Sequence, residues 1–231
     1  MKTIGLIGGM SWESTALYYQ IINETVKDRL GCLHSAKLVL VSVDFQTIER
    51  LQAAGAWDEA GALMAQAAQS LQAAGADCVL LCTNTMHKVA AAIEAAVAIP
   101  LLHIADPTAA AIKRAGGNKV GLLGTRFTME QDFYLGRLRD RHGLEVSVPI
   151  PSDRDIVHAV IYAELCRGQV LAESRRQYRR IIQTLVDNGA EAIILGCTEI
   201  TMLIGTEDSP VAVFDTTRLH ASHAVDWALA D

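Results

Sequence analysis

The sequence predicts an α/β protein, on three observations. Short apolar runs closed by glycine alternate with longer amphipathic or alanine-rich stretches. Strands that alternate with helices in this way pair in parallel. Both halves of the chain show the alternation, and in two places the letters themselves repeat. TIGLIGG at Thr3–Gly9 matches KVGLLGT at Lys119–Thr125, and GADCVLLCTNT at Gly75–Thr85 matches GAEAIILGCTE at Gly189–Glu199, at nearly the same offset. A constant offset points to a duplicated α/β unit.

The first half gives the elements in order. Lys2–Gly9 is a buried strand, a short apolar run ending in glycines. Ser14–Leu30 follows as a helix, with Gly31 as its stop. Ala36–Phe45 is rich in β-branched residues and predicts a second strand. Trp57–Ala74 is an alanine-rich helix that Gly75 can close. Asp77–Cys82 predicts a strand, Lys88–Val97 a helix and Ile99–Ala105 a further strand. The second half runs through the same series.

Composition narrows the function. The chain has 231 residues, 51% hydrophobic and 20% charged, enough for one large or two small globular domains. A net charge of -6 gives no electrostatic reason to expect a nucleic-acid partner. The basic run Arg175–Arg180 reads as the solvated face of a helix. No uncharged apolar run reaches the roughly 18 residues of a membrane span, and the N-terminal IGLIGG is too short for a signal peptide. Five scattered cysteines with no export signal read as reduced thiols in the cytoplasm. Cys78 and Cys82 have no second pair, and His220 and His223 stand alone on one helix face, so no metal site is expected. GLIGGM lacks the dinucleotide spacing and no P-loop occurs, so no cofactor is expected.

The repeat singles out two positions. Extended without a gap, it pairs Thr83 with Cys197 and Cys82 with Gly196. Strand side chains alternate in direction, so Cys82 and Thr83 look different ways, Cys82 into packing. Ligands of open α/β sheets bind beyond the carboxyl ends of the strands. Thr83, Asn84 and Thr85 stand at one such end, and Cys197, Thr198 and Glu199 at its counterpart. A helix start there would offer N–H groups to a carboxylate and favour thiolate at Cys197, against which the Glu199 charge works. Met10 beside Gly8 and Gly9, Gln52 after the second strand, and Thr125 at the strand end opposite Gly9 are further candidates to line the site. His87 reads as structural or as support for the site. Cys32, Cys78 and Cys166 are expected to pack as small hydrophobes.

IGLIGGM near the start, NTMH at Asn84–His87 and GCTE at Gly196–Glu199, in this order, resemble the aspartate/glutamate racemase family over essentially the whole chain. GCTE is similar to the aspartate racemase branch; the glutamate branch usually carries histidine where Glu199 stands. The resemblance implies two similar α/β domains with parallel sheets, related by pseudo-two-fold symmetry, with the active site in the cleft between them. The first would comprise residues 1–100 plus 210–231 and the second 101–209. It also implies a homodimer, a free amino acid as substrate, and 1,1-proton transfer between two cysteines without pyridoxal phosphate. This chain departs from that pattern, because Thr83 occupies the place of the first cysteine. Cys197 is then the principal acid/base and Thr83 a weaker partner on the opposite face of the α-carbon. Met10, Gln52, Asn84, Thr85 and Thr198 would bind substrate. Arg50, Arg126 and Arg167 are unranked candidates for the distal carboxylate. The single aligned thiol keeps two alternatives open: a decarboxylase of the arylmalonate type, and an inert amino-acid-binding relative.

Overall fold

Among residues 1–230, which the computed structural model describes, eight strands form two parallel four-stranded sheets. Contacts divide the chain into one unit of Met1–Ile104 together with the segment from His220, and a second of Ala105–Leu219. The chain returns to the first unit at His220, inside a helix.

The first unit holds β1 (Ile4–Gly8), β2 (Leu38–Ser42), β3 (Cys78–Leu81) and β4 (Leu101–Leu102), in the order β2-β1-β3-β4. Its helices are α1 (Trp12–Leu30), α2 (Phe45–Ala54), α3 (Trp57–Ala73) and α4 (Ala90–Ala96). The second unit holds α5 (Ala105–Arg114), β5 (Lys119–Gly124), α6 (Arg126–Glu130), α7 (Asp132–Gly136), β6 (Glu145–Ser147), α8 (Pro151–Ala163), α9 (Ala172–Asp187), β7 (Ala192–Gly196) and β8 (Ala212–Asp215). Its sheet order, β6-β5-β7-β8, is that of the first sheet. The internal repeat is thus one topology used twice. The last helix, α10 (Thr216–Leu229), brings the chain back to the first unit.

β1 reads as an unbroken apolar run because it is buried on both faces. Ile4 and Leu6 join a core with Tyr18 and Ile22 of α1 and Ala221 and Val225 of α10. Ile7 joins the opposite core with Ile48 of α2 and Met64 and Ala68 of α3. α1 starts where the hydroxyl of Ser11 accepts the Ser14 N–H at 3.3 Å, and it stops at Gly31, whose φ of 74° suits glycine. No helix among the described residues is long and apolar enough to cross a membrane.

Besides shifts of one or two residues, as at the ends of β1 and α1, three element boundaries differ from the sequence reading. The second strand ends at Ser42, where its ladder partner β1 ends at Gly8, and Phe45 opens α2 behind extended Asp44. The helix expected from Lys88 begins earlier, as a 3₁₀ turn over Thr85–Val89. The strand expected over Ile99–Ala105 pairs only at Leu101 and Leu102, and Ala105 already starts α5.

Candidate active site

In the first unit the site candidates gather at the carboxyl ends of β1 and β3. The strand order turns there, since β1 is followed by β2 on one side and flanked by β3 on the other. A parallel sheet opens a ligand crevice at such a switch point. The chain leaves β1 through Gly9, whose φ is 93° and where a Cβ would strike the backbone of Val43. Thr15 of α1 holds this turn. Its hydroxyl accepts the Gly9 N–H at 2.8 Å and donates to the Ser11 carbonyl at 2.8 Å. The Met10 side chain is buried against Ile7, Ile48 and Met86, so this loop turns its backbone rather than its thioether outward.

β3 settles which of two neighbours packs. Cys78, Leu80 and Cys82 point into the core shared with α1 and α10, and Val79 and Leu81 into the other. Cys82 is fully buried, and burial pushes its thiol far above the ordinary range. Thr83 lies just past the strand, 8% exposed, with its N–H on the Leu81 carbonyl at 2.8 Å. Asn84 and Thr85 follow, both buried. Gln52 comes in from α2, and its Nε2 lies 3.1 Å from Sδ of Met86. Met10, Gln52, Thr83, Asn84 and Thr85 therefore belong to one end of one sheet.

In the second unit the equivalent place is the end of β5 and β7. A Cβ at Gly124 would fall 2.9 Å from the Gly196 carbonyl, so two glycines let these strand ends close up. Thr125 caps α6 through the Thr128 N–H at 3.3 Å. Cys197 is extended and 7% exposed, and its side chain joins Leu195, Ile193 and Tyr178 in the core. Its thiol donates to Oε2 of Glu199 at 3.0 Å, and the Thr198 hydroxyl donates to the same oxygen at 2.6 Å. Thr198 is thereby left as an acceptor.

This geometry corrects the expectation of a ready thiolate. The helical turn after Cys197 is a 3₁₀ segment of five residues, Thr198–Met202, too short to build an appreciable dipole. Burial comes first and the Glu199 carboxylate second, and together they hold the Cys197 thiol well above its ordinary value. Cys197 rests as a thiol beside a proton acceptor. The sequence reading took Glu199 as a charge that works against the thiolate; its place two residues after the cysteine was the available signal for a closer role.

Among the other candidates, Arg126 is paired with Asp155 at 2.6 Å, and Arg50 and Arg167 lie exposed on the surface. Cys78 is buried as expected and Cys166 partly so, whereas Cys32 is exposed, because it follows Gly31 beyond the end of α1. Among the described residues no group of three or more His, Cys, Asp or Glu is placed to hold a metal ion.

Comparison with known proteins bears on the family and the fold. A family model described as Asp/Glu/Hydantoin racemase matches residues 7–224. A crystal structure of a candidate Asp/Glu racemase from Yersinia pestis is 58% identical with a TM-score of 0.93, covering 100% of both chains. An aspartate racemase homologue from Pyrococcus horikoshii is 33% identical with a TM-score of 0.85, again over 100% of both. A glutamate racemase from Carnobacterium is 27% identical over 54% of this chain and 45% of that protein, so this match spans less than half its length.

Proposed function

The chain belongs to the Asp/Glu/Hydantoin racemase family, and from that premise we propose that it racemises aspartate or glutamate by moving the α-proton without pyridoxal phosphate. The observation that carries this reading is a buried thiol with its own proton acceptor. Cys197 lies 3.0 Å from Glu199 at a strand end whose repeat partner carries Thr83.

The steps follow from the groups present. Glu199 takes the Cys197 proton, and the thiolate removes the α-proton from the face of the substrate turned to it. The negative charge spreads into the α-carboxylate, which Asn84 and Thr85 bind together with the backbone N–H of Thr198, since the Thr198 hydroxyl is spent on Glu199, with Met10 and Gln52 completing the site. A donor aimed at such developing charge is worth roughly 3 kcal/mol. The Thr83 hydroxyl then delivers a proton to the opposite face and recovers one from water. In reverse Thr83 is a poor base, since an alcohol ionises far less readily than a thiol. One enantiomer therefore exchanges its α-proton with solvent faster than it inverts. The equilibrium stays even, because enantiomers have equal free energy. The same reading has a homodimer working in the cytoplasm on a free amino acid.

The test is racemisation by the purified protein of L- and D-aspartate and L- and D-glutamate with no added cofactor, followed by chiral chromatography. Appearance of the opposite enantiomer is the expected result. Carbon dioxide release from an arylmalonate with no inversion would replace this reading with the single-thiol decarboxylase. Thermal stabilisation by an amino acid without turnover would replace it with a binding protein.

A further inference from the structure

Three histidines are buried in the first unit: His87, His103 and His220. None has a part in the steps above, yet His87 touches the backbone of the residue on which those steps depend. Both nitrogens of its ring are used. The backbone N–H of Ile104 donates to Nε2 at 3.2 Å. A backbone N–H can only donate, so Nε2 carries no proton. Nδ1 lies 2.8 Å from the carbonyl oxygen of Thr83, which can only accept, so Nδ1 carries the proton. Two one-way partners thus fix a neutral ring in the Nδ1–H tautomer.

The surroundings hold the ring in this pose. His103 packs against it with the rings tilted by 58° at 4.3 Å between centroids, and His220 meets it edge-on at 5.9 Å. His220 is itself anchored, through Nε2 to the Leu102 carbonyl at 2.7 Å and through Nδ1 to the Tyr18 hydroxyl at 2.8 Å. Leu102 and Ile104 flank His103 at the end of the first stretch of this unit, and they are gripped by His220 and His87 respectively.

We propose that His87 is a positioning residue for proton transfer: it pins the Thr83 carbonyl to the backbone of Ile104 and so fixes the peptide that carries the Thr83 hydroxyl. The proposal rests on the reading of Thr83 as the opposite-face partner. Thr83 lies beyond the last ladder bond of β3, where the sheet no longer holds the backbone. Its N–H is tied to Leu81 and its carbonyl to His87, while the His87 N–H closes on the Asn84 carbonyl at 3.1 Å. In a trans peptide the carbonyl and the following N–H point opposite ways, so the same bond also sets the direction of the Asn84 N–H. A misplacement of about 1 Å costs a reaction of this kind on the order of a hundredfold.

Two substitutions separate positioning from packing. In His87→Asn the amide nitrogen falls where Nδ1 sits and keeps the bond to Thr83. In His87→Gln the amide reaches the place of Nε2 and serves only Ile104. The inversion kcat is expected to fall at least tenfold in His87→Gln and to stay within about threefold in His87→Asn, with KM within about threefold in both. Solvent exchange of the α-proton facing Cys197 is expected to persist in His87→Gln, because it does not pass through Thr83. Long-range proton–nitrogen NMR of the wild type should show the Nδ1–H tautomer at His87. An Nε2–H tautomer overturns the proposal, as does an equal loss of kcat in both variants that tracks their melting temperatures. A wild type that neither exchanges nor inverts overturns the functional reading, and with it the role of His87. That failure is distinct from failure of the clamp alone, in which the wild type turns over and both variants fall together.

Discussion

The thiol of Cys197 donates to Oε2 of Glu199 at 3.0 Å, and that single oxygen also accepts the Thr198 hydroxyl. One buried carboxylate therefore both keeps the thiol protonated at rest and stands ready to receive its proton. Raising a thiol's pKa and serving as its base are usually opposed effects. They are compatible here because a base of higher pKa, once formed, takes a weakly acidic α-proton more readily.

Glu199→Gln separates the two effects. Removing the charge lets the Cys197 thiol ionise more easily, since that carboxylate is the second cause, after burial, of its raised pKa. Alkylation of Cys197 by iodoacetamide, followed against pH by mass spectrometry, should therefore begin at lower pH in the variant. Exchange of the substrate α-proton should fall by about a hundredfold, the usual loss of a general base. Unchanged exchange would show that Glu199 is not the acceptor.

Cys82→Ala should leave kcat/KM within about tenfold of wild type, a change of roughly 1.4 kcal/mol in the barrier. The side chain belongs to the core with Tyr18 and Val225, so the loss falls on stability instead, at about 1–2 kcal/mol for the cavity left behind. Steady-state kinetics and urea unfolding read the two quantities. A near-complete loss of activity would mean that Cys82, and not Thr83, meets the substrate.

The distinction between these neighbours was legible in the sequence, because period-two alternation and the internal repeat both depend only on counting residues. The glycine-closed strands were legible for a similar reason: burial on both faces leaves an unbroken apolar run. The helix carrying Gln52 was not. Its first residue, Phe45, continues the apolar pattern of β2, and only the end of the β1 ladder at Gly8 stops the strand. The state of Cys197 was also misread. A helix start was inferred, but whether a helix lasts long enough to act as a dipole is decided by tertiary packing. His87 was read as structural or as support for the site, but the two bonds it makes were invisible, since both partners are backbone groups, one of them seventeen residues away.

Thr83→Cys puts a thiol on the second face. Inversion should quicken relative to α-proton exchange, and the two enantiomers should exchange at more similar rates, as measured by chiral chromatography and NMR on the same samples. No change in the ratio of exchange to inversion would show that proton transfer at this position does not limit inversion.

Stability should fall in alkali. Cys78 is held at about 12 by burial, burial pushes Cys82 further up, and burial with the Glu199 carboxylate holds Cys197 well above the 9.0 of an ordinary thiol. Each stays protonated in the fold while the unfolded chain releases its proton, so the unfolded state binds fewer protons and stability declines as pH rises above about 9. The slope is roughly 1.4 kcal/mol per pH unit for each such thiol. Urea unfolding from about pH 8 to pH 11 should therefore show a shallower decline in Cys82→Ala than in wild type. Parallel declines would contradict the burial of this thiol in a protonated state.

The most direct test of the account places the wild type and Cys197→Ser in deuterated water with each enantiomer of aspartate and glutamate, and follows α-deuterium by NMR. The account predicts rapid incorporation into one enantiomer by the wild type, slower inversion, and no incorporation by Cys197→Ser. Incorporation that survives in Cys197→Ser would contradict it, because the α-proton would then be leaving to some other base.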